Sequence, residues 1–167
     1  MKKRPESDFE ALRNDLHQIY DGSPWHGSSI STVLEGIDAH TAALRSVPNA
    51  HSIWELVLHM TSWTREVTSR VAGADAKDPV DWPVPSFAGG AGAWEAAKRD
   101  LASAQAELEV QVARLKPNDL LRWVGDQRDP ALGTGLPVGT VIRGLLQHHA
   151  YHQGQIAVLR RAAETHH

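Results

Sequence analysis

Residues 144–161 read GLLQHHAYHQGQIAVLRR, and this stretch decides the fold. Val138, Val141, Ile142, Leu145, Ile156 and Leu159 recur at helical steps and mark one buried face. With Pro137 suited to a first helical turn, the pattern predicts a helix from about Pro137 to Ala163. At about 100° per residue, His148, His149 and His152 fall inside or at the edge of that apolar stripe. Three imidazoles then stand where a bundle would place leucines.

Working outward, three more long segments carry the same period. Phe9, Leu12, Leu16, Ile19 and Tyr20 predict a helix over about Ser7–Tyr20, stopped by Asp21-Gly22-Ser23-Pro24. Ser52-Ile53-Trp54-Glu55 matches a capping box, in which serine and glutamate side chains satisfy orphan backbone donors. The helix it opens runs to about Val71, with Ile53, Leu56, Val57, Met60, Thr64, Val67 and Val71 inward. A further helix is expected from Trp94 to Leu115, with Leu101, Leu108, Val112 and Leu115 inward and Lys116-Pro117 after it. Between these lie a short helix over Ile30–Ile37, a turn or two over Asp38–Leu44 and a proline- and glycine-rich loop over Ala74–Gly92. Leu121–Leu136 reads as irregular, with a short strand at Leu121–Val124. The expected fold is all-α, an up-and-down bundle of four main helices. The chain reads as one domain over 1–167.

Composition narrows the function. The 167 residues are 41% hydrophobic and 22% charged, which excludes a disordered or fibrous chain. Seventeen basic against twenty acidic residues give a net charge of −3, which argues against a nucleic-acid partner. No apolar run approaches the ~20 residues of a membrane span. MKKRPESDFEALRNDL has no apolar stretch behind its basic residues, so no secretory signal is expected. Cysteine is absent, which excludes disulfides, thiolate ligands and a cysteine nucleophile, and fits a cytoplasmic protein. Of ten histidines, His166 and His167 are set aside as a frayed end or tag remnant.

Burying an imidazole without a partner costs roughly 1–3 kcal/mol, and a metal ion is an economical partner for several at once. Histidines four apart on a helix stack on one face, so His148 and His152 can reach one ion. His149 and His152, three apart, rank second by geometry. His59 lies on the capped helix with Leu56 and Trp63, at the edge of its buried stripe, and is the candidate third ligand. Three protein ligands would leave positions open for water or substrate. With no thiolate and no second carboxylate motif, the choice lies among zinc, nickel, manganese, iron and cobalt. His149 otherwise reads as core, outer support or a helix contact. His17, His40 and His51 read as solvated, and His26 as a loop residue that packs or lines a pocket. Glu55 is accounted for by its cap. Gln155 could orient a ligand, Tyr151 could contact another helix, and Trp25, Trp54, Trp63 and Trp82 are core or pocket walls.

HSIWELVLHMTSW around His59, together with HHAYHQGQI at residues 148–156, resembles the DinB/YfiT-like superfamily of metal-binding four-helix bundles. The resemblance covers nearly the whole chain. It implies the metal ligands His59, His148 and His152, favouring His148 over His149, and a homodimer. Some relatives are thiol transferases using bacillithiol or mycothiol, among them a mycothiol-dependent maleylpyruvate isomerase. Others are described as metal-dependent hydrolases.

The expected function is therefore that of a metal-dependent enzyme with a small-molecule substrate. The divalent ion, zinc or nickel first, would lower the pKa of a bound thiol or water. The family tilts the choice toward transfer of a low-molecular-weight thiol. The alternatives are a metal-dependent hydrolase and a non-catalytic bundle stapled by its metal.

Overall fold

The capping box at Ser52 forms as the sequence indicates. Glu55 N–H donates to Ser52 Oγ (3.2 Å), and Ser52 N–H donates to Glu55 Oε2 (2.7 Å). In the computed structural model, which describes residues 5–164, this cap opens the helix that positions the site. His166 and His167 lie outside the described residues.

Among the described residues six α-helices follow in order: α1 (Pro5–Asp21), α2 (Ile30–Leu34), α3 (Ala39–Ala43), α4 (Ile53–Val71), α5 (Gly90–Ala113) and α6 (Val138–Glu164). The fold is all-α, with α4 packed against both α5 and α6 and α1 against the same two helices. Trp54, Met60, Trp94, Leu101 and Ile156 fill one part of the core, and Leu12, Leu16, Leu108, Val112 and Ile142 fill another. No helix among the described residues is long and apolar enough to cross a membrane.

The small helices are divided by their caps. Ser29 and Asp38 each accept from the backbone N–H three residues on, and Gly36 between them adopts φ +73°, which ends the first segment before Ile37. Helix α5 starts four residues before the expected Trp94, at Gly90, and stops at Ala113 rather than Leu115. Glycines at residues 89, 90 and 92 lower local helix propensity, but packing overrides it. Trp94 is 1% exposed and its Nε1–H donates to Ile37 O at 2.7 Å, fixing the first turns of α5 in the core. The expected strand shortens to β1 (Trp123–Val124), after a 3-10 turn over Pro117–Leu121. Its antiparallel partner β2 (Leu136–Pro137) lies where the sequence predicts irregular chain and the start of a helix. Pro137 thus sits in a strand and α6 begins one residue later.

Two long connections are tied to α4 by a buried ion pair. Arg70, 2% exposed, donates from Nε to Glu66 Oε1 (2.8 Å) and from its Nη atoms to Leu132 O and Lys77 O. Glu66 Oε1 also accepts from Lys77 N–H (2.6 Å). Ser62 Oγ donates to Val80 O (2.8 Å). Residues 59, 62, 63, 66 and 70, on one face of α4, hold the 74–86 loop along the helix.

Ser52→Ala should lower stability by about 1 kcal/mol, since it removes one half of the cap. Urea unfolding followed by circular dichroism measures the change.

Candidate metal centre

Helices α4 and α6 bring His59, His148 and His152 together. His59 Nε2 lies 2.8 Å from His148 Nε2, and His152 Nε2 lies 3.0 Å from the same atom. One ligand nitrogen from each of the three falls within 4.8 Å of the others. His149 is not among them. It is 0% exposed and faces α4, where its Nε2 meets Thr64 Oγ1 at 3.0 Å. Thr64 Oγ1 gives its only proton to Met60 O, so it accepts from His149 Nε2–H.

The outer partners fix the ring tautomers. His59 Nδ1 lies 2.6 Å from Asp81 O, and a carbonyl only accepts, so Nδ1 carries the proton. His152 Nδ1 likewise donates to Gln155 Oε1 at 2.6 Å, while Gln155 Nε2 donates to Tyr151 Oη at 3.3 Å. Both Nε2 atoms therefore present bare lone pairs to His148. A proton on His148 Nε2 would serve two acceptors and leave Nδ1, buried and without a partner, as an unmet acceptor. A proton on Nδ1 would leave a buried donor unmet and three lone pairs facing one another. Neither placement of the His148 proton satisfies the trio, whereas a cation would meet all three Nε2 lone pairs and leave only the His148 Nδ1 proton without a partner. Nitrogens about 2.0–2.1 Å from a tetrahedral ion lie roughly 3.3 Å apart, a few tenths of an ångström from the two close separations here.

Burial favours the neutral form of His148, His149 and His152. Desolvation pushes His148 down to about 3, helped by the charges of His152 and His59 and opposed by Asp81. Complete burial, with the neighbouring histidines, does the same to His149, also to about 3. Desolvation lowers His152, opposed by the hydrogen bond it donates to Gln155.

The 74–86 loop contributes a wall and a carboxylate. Trp82 stacks on His59 with centroids 4.1 Å apart, and on its other face His51 stacks at 3.5 Å. Asp81 Oδ1 accepts from Trp63 Nε1 (2.7 Å) and lies 3.3 Å from His59 Nδ1. His51, expected to be solvated, is half-buried beside the site with its side chain still 41% exposed. Tyr151 is 65% exposed and its ring lies against His152 of its own helix. Trp25, fully exposed, is neither core nor part of this wall, whereas Trp54 is core and Trp63 lines a cleft. His17, His26 and His40 are exposed. Glu55 is engaged by its cap, by Arg45 and, at 3.8 Å, by His51.

Two clefts lie near the cluster, one lined by outer residues around it and the other by His148 itself. One of about 510 Å³ is lined by His51, Tyr151, Gly154 and Gln155. The other, about 480 Å³, has His148 in its lining along with Trp63, Arg70, Arg143 and Gly144.

A helical bundle whose facing helices hold three converging imidazoles defines a class of histidine-rich, metal-capable bundles. The family model described as the DinB superfamily matches residues 25–156, and the chain belongs to that superfamily. Neither a curated protein nor a solved structure matches it significantly.

The lowered histidine pKa values fix a pH dependence. Between the ordinary value of 6.5 and about 3, the unfolded chain binds protons that folded His148 and His149 refuse. Stability of the metal-free protein is therefore lost as pH falls through that window, by up to about 1.4 kcal/mol per pH unit for each such histidine. Chemical denaturation from pH 7 to 4.5 should show this slope, and His149→Gln should flatten it.

Proposed function

We propose that His59, His148 and His152 ligate one divalent cation through Nε2, and that the protein is a metal-dependent enzyme transferring a small thiol. The observation that carries this reading is the convergence of three Nε2 atoms whose lone pairs no placement of protons can all satisfy. An all-imidazole donor set suits zinc or nickel first. Three protein ligands leave a position for a guest, and half-buried His148 lines a cleft by which a guest can arrive. A chain without cysteine needs no oxidising compartment, which supports a cytoplasmic setting.

The ion would supply Lewis acidity, lowering the pKa of the nucleophile brought to it. The chain's own residues do the rest. Asp81 O and Gln155 Oε1 hold two rings in the tautomer that points Nε2 inward. Trp82 covers one face of His59 and keeps water from it. The apolar walls of the clefts would bind the organic part of a substrate. Thiol transfer is favoured over hydrolysis because a thiol, with pKa near 8.5, asks less help than water at about 15.7. Asp81, the carboxylate at the cluster, is occupied with His59 and Trp63 and so is poorly placed as a general base.

His59→Ala, His148→Ala and His152→Ala should each lower bound metal at least tenfold, while His149→Ala largely retains it. Elemental analysis of protein purified without an affinity column reads this directly. Small thiols with monochlorobimane should give metal-dependent conjugation. Full metal content in His148→Ala with loss in His149→Ala would overturn the ligand assignment.

A further inference from the structure

We propose that the cleft beside His148 seats a small organic carboxylate whose charged end is gripped by Arg143. This deepens the reading above, on which it rests for what the far end of the ligand would meet.

The cavity of about 480 Å³ lies between α4, α6 and the 130–136 segment, and is the size of a small-molecule site. Trp63, Val67, Leu132, Leu136 and Leu145 make most of it apolar. It holds two guanidinium groups in opposite circumstances. Arg70 is buried and engaged by Glu66, Leu132 O and Lys77 O. Arg143 is exposed and makes one long bond, 3.4 Å, to Gly139 O four residues back on its own helix. No carboxylate among the described residues is paired with it. Its planar fork of donors suits a carboxylate held through two oxygens, and low-dielectric walls strengthen that grip.

Thr140, Arg143, Gly144 and Gln147 share one face of α6 and form the polar strip of this cleft. Gly144 is the telling member. A glycine in the middle of a 27-residue helix weakens it, and a Cβ built there would meet nothing within 4 Å. No close helix packing calls for it. What it does is leave the cleft floor clear one turn before His148. From Arg143 to His148 the helix rises about 7.5 Å. Both residues line the one cleft, which fits a monocarboxylate with a short apolar body, its other end directed at the histidine cluster.

The test uses the protein as purified, its metal content measured in parallel. It is titrated with 4-phenylbutanoate and with the neutral 4-phenylbutanamide, and the backbone amide resonances of residues 140–148 are followed. The carboxylate should bind at least tenfold more tightly than the amide. Arg143→Gln should bring it down to the amide's level without loss of metal, Arg143→Lys should recover part of the preference, and Gly144→Val should weaken both ligands. Equal binding of acid and amide, no binding of either, or a preference that survives Arg143→Gln would each overturn the proposal. If the carboxylate preference is present in protein that binds no metal, the cleft assignment stands and the metal-enzyme reading fails. If the protein is replete with metal and lacks the preference, the metal centre stands and the cleft assignment fails.

Discussion

The structure depends on an arrangement that protons alone cannot satisfy. His59 and His152 each spend a ring proton on an outer acceptor, Asp81 O and Gln155 Oε1. Their remaining nitrogens then converge on His148 as lone pairs. In water such a meeting would dissolve into solvation, but here the rings are held between two packed helices and burial also disfavours charge on His148 and His152. The bundle accepts this cost in its interior, and the polar shell around it is built to preserve the conflict.

That shell comes largely from a connection and not from a helix. The 74–86 segment is bonded to successive turns of α4 through His59, Ser62, Trp63, Glu66 and Arg70. The same bonds that satisfy the loop's backbone also aim Asp81 and Trp82 at His59. Hydrogen bonding of the chain and orientation of the imidazole are thus one structural fact. Arg70 extends it to the second connection through Leu132 O, so both loops around the clefts share an anchor on α4.

What the sequence reveals is what short-range periodicity encodes. The i, i+4 spacing places His148 and His152 on one face, and the capping box marks the start of α4. His59 follows from its place beside Leu56 and Met60 on the buried stripe. Asp81 carries no such signal, since its role comes from a backbone carbonyl and a loop path that 22 residues of separation conceal. His51 lies just outside α4, and only the fold of Trp82 back onto it brings it to the wall. The start of α5 is hidden because glycines argue for a loop while Trp94, buried against Ile37, decides for a helix. Strand β2 escapes because a two-residue ladder has no pattern of its own.

His59 and His148 are 89 residues apart in the chain. Everything between them, including α5 and the small hairpin, hangs from that junction as one large ring. A chain with no cysteine has no disulfide with which to close such a ring. An ion spanning these imidazoles would do so, and by the chain-entropy measure applied to cross-links a closure of this length is worth about 4–5 kcal/mol. The atoms arranged for chemistry would then also act as a reversible clasp, coupling the supply of metal to the persistence of the fold.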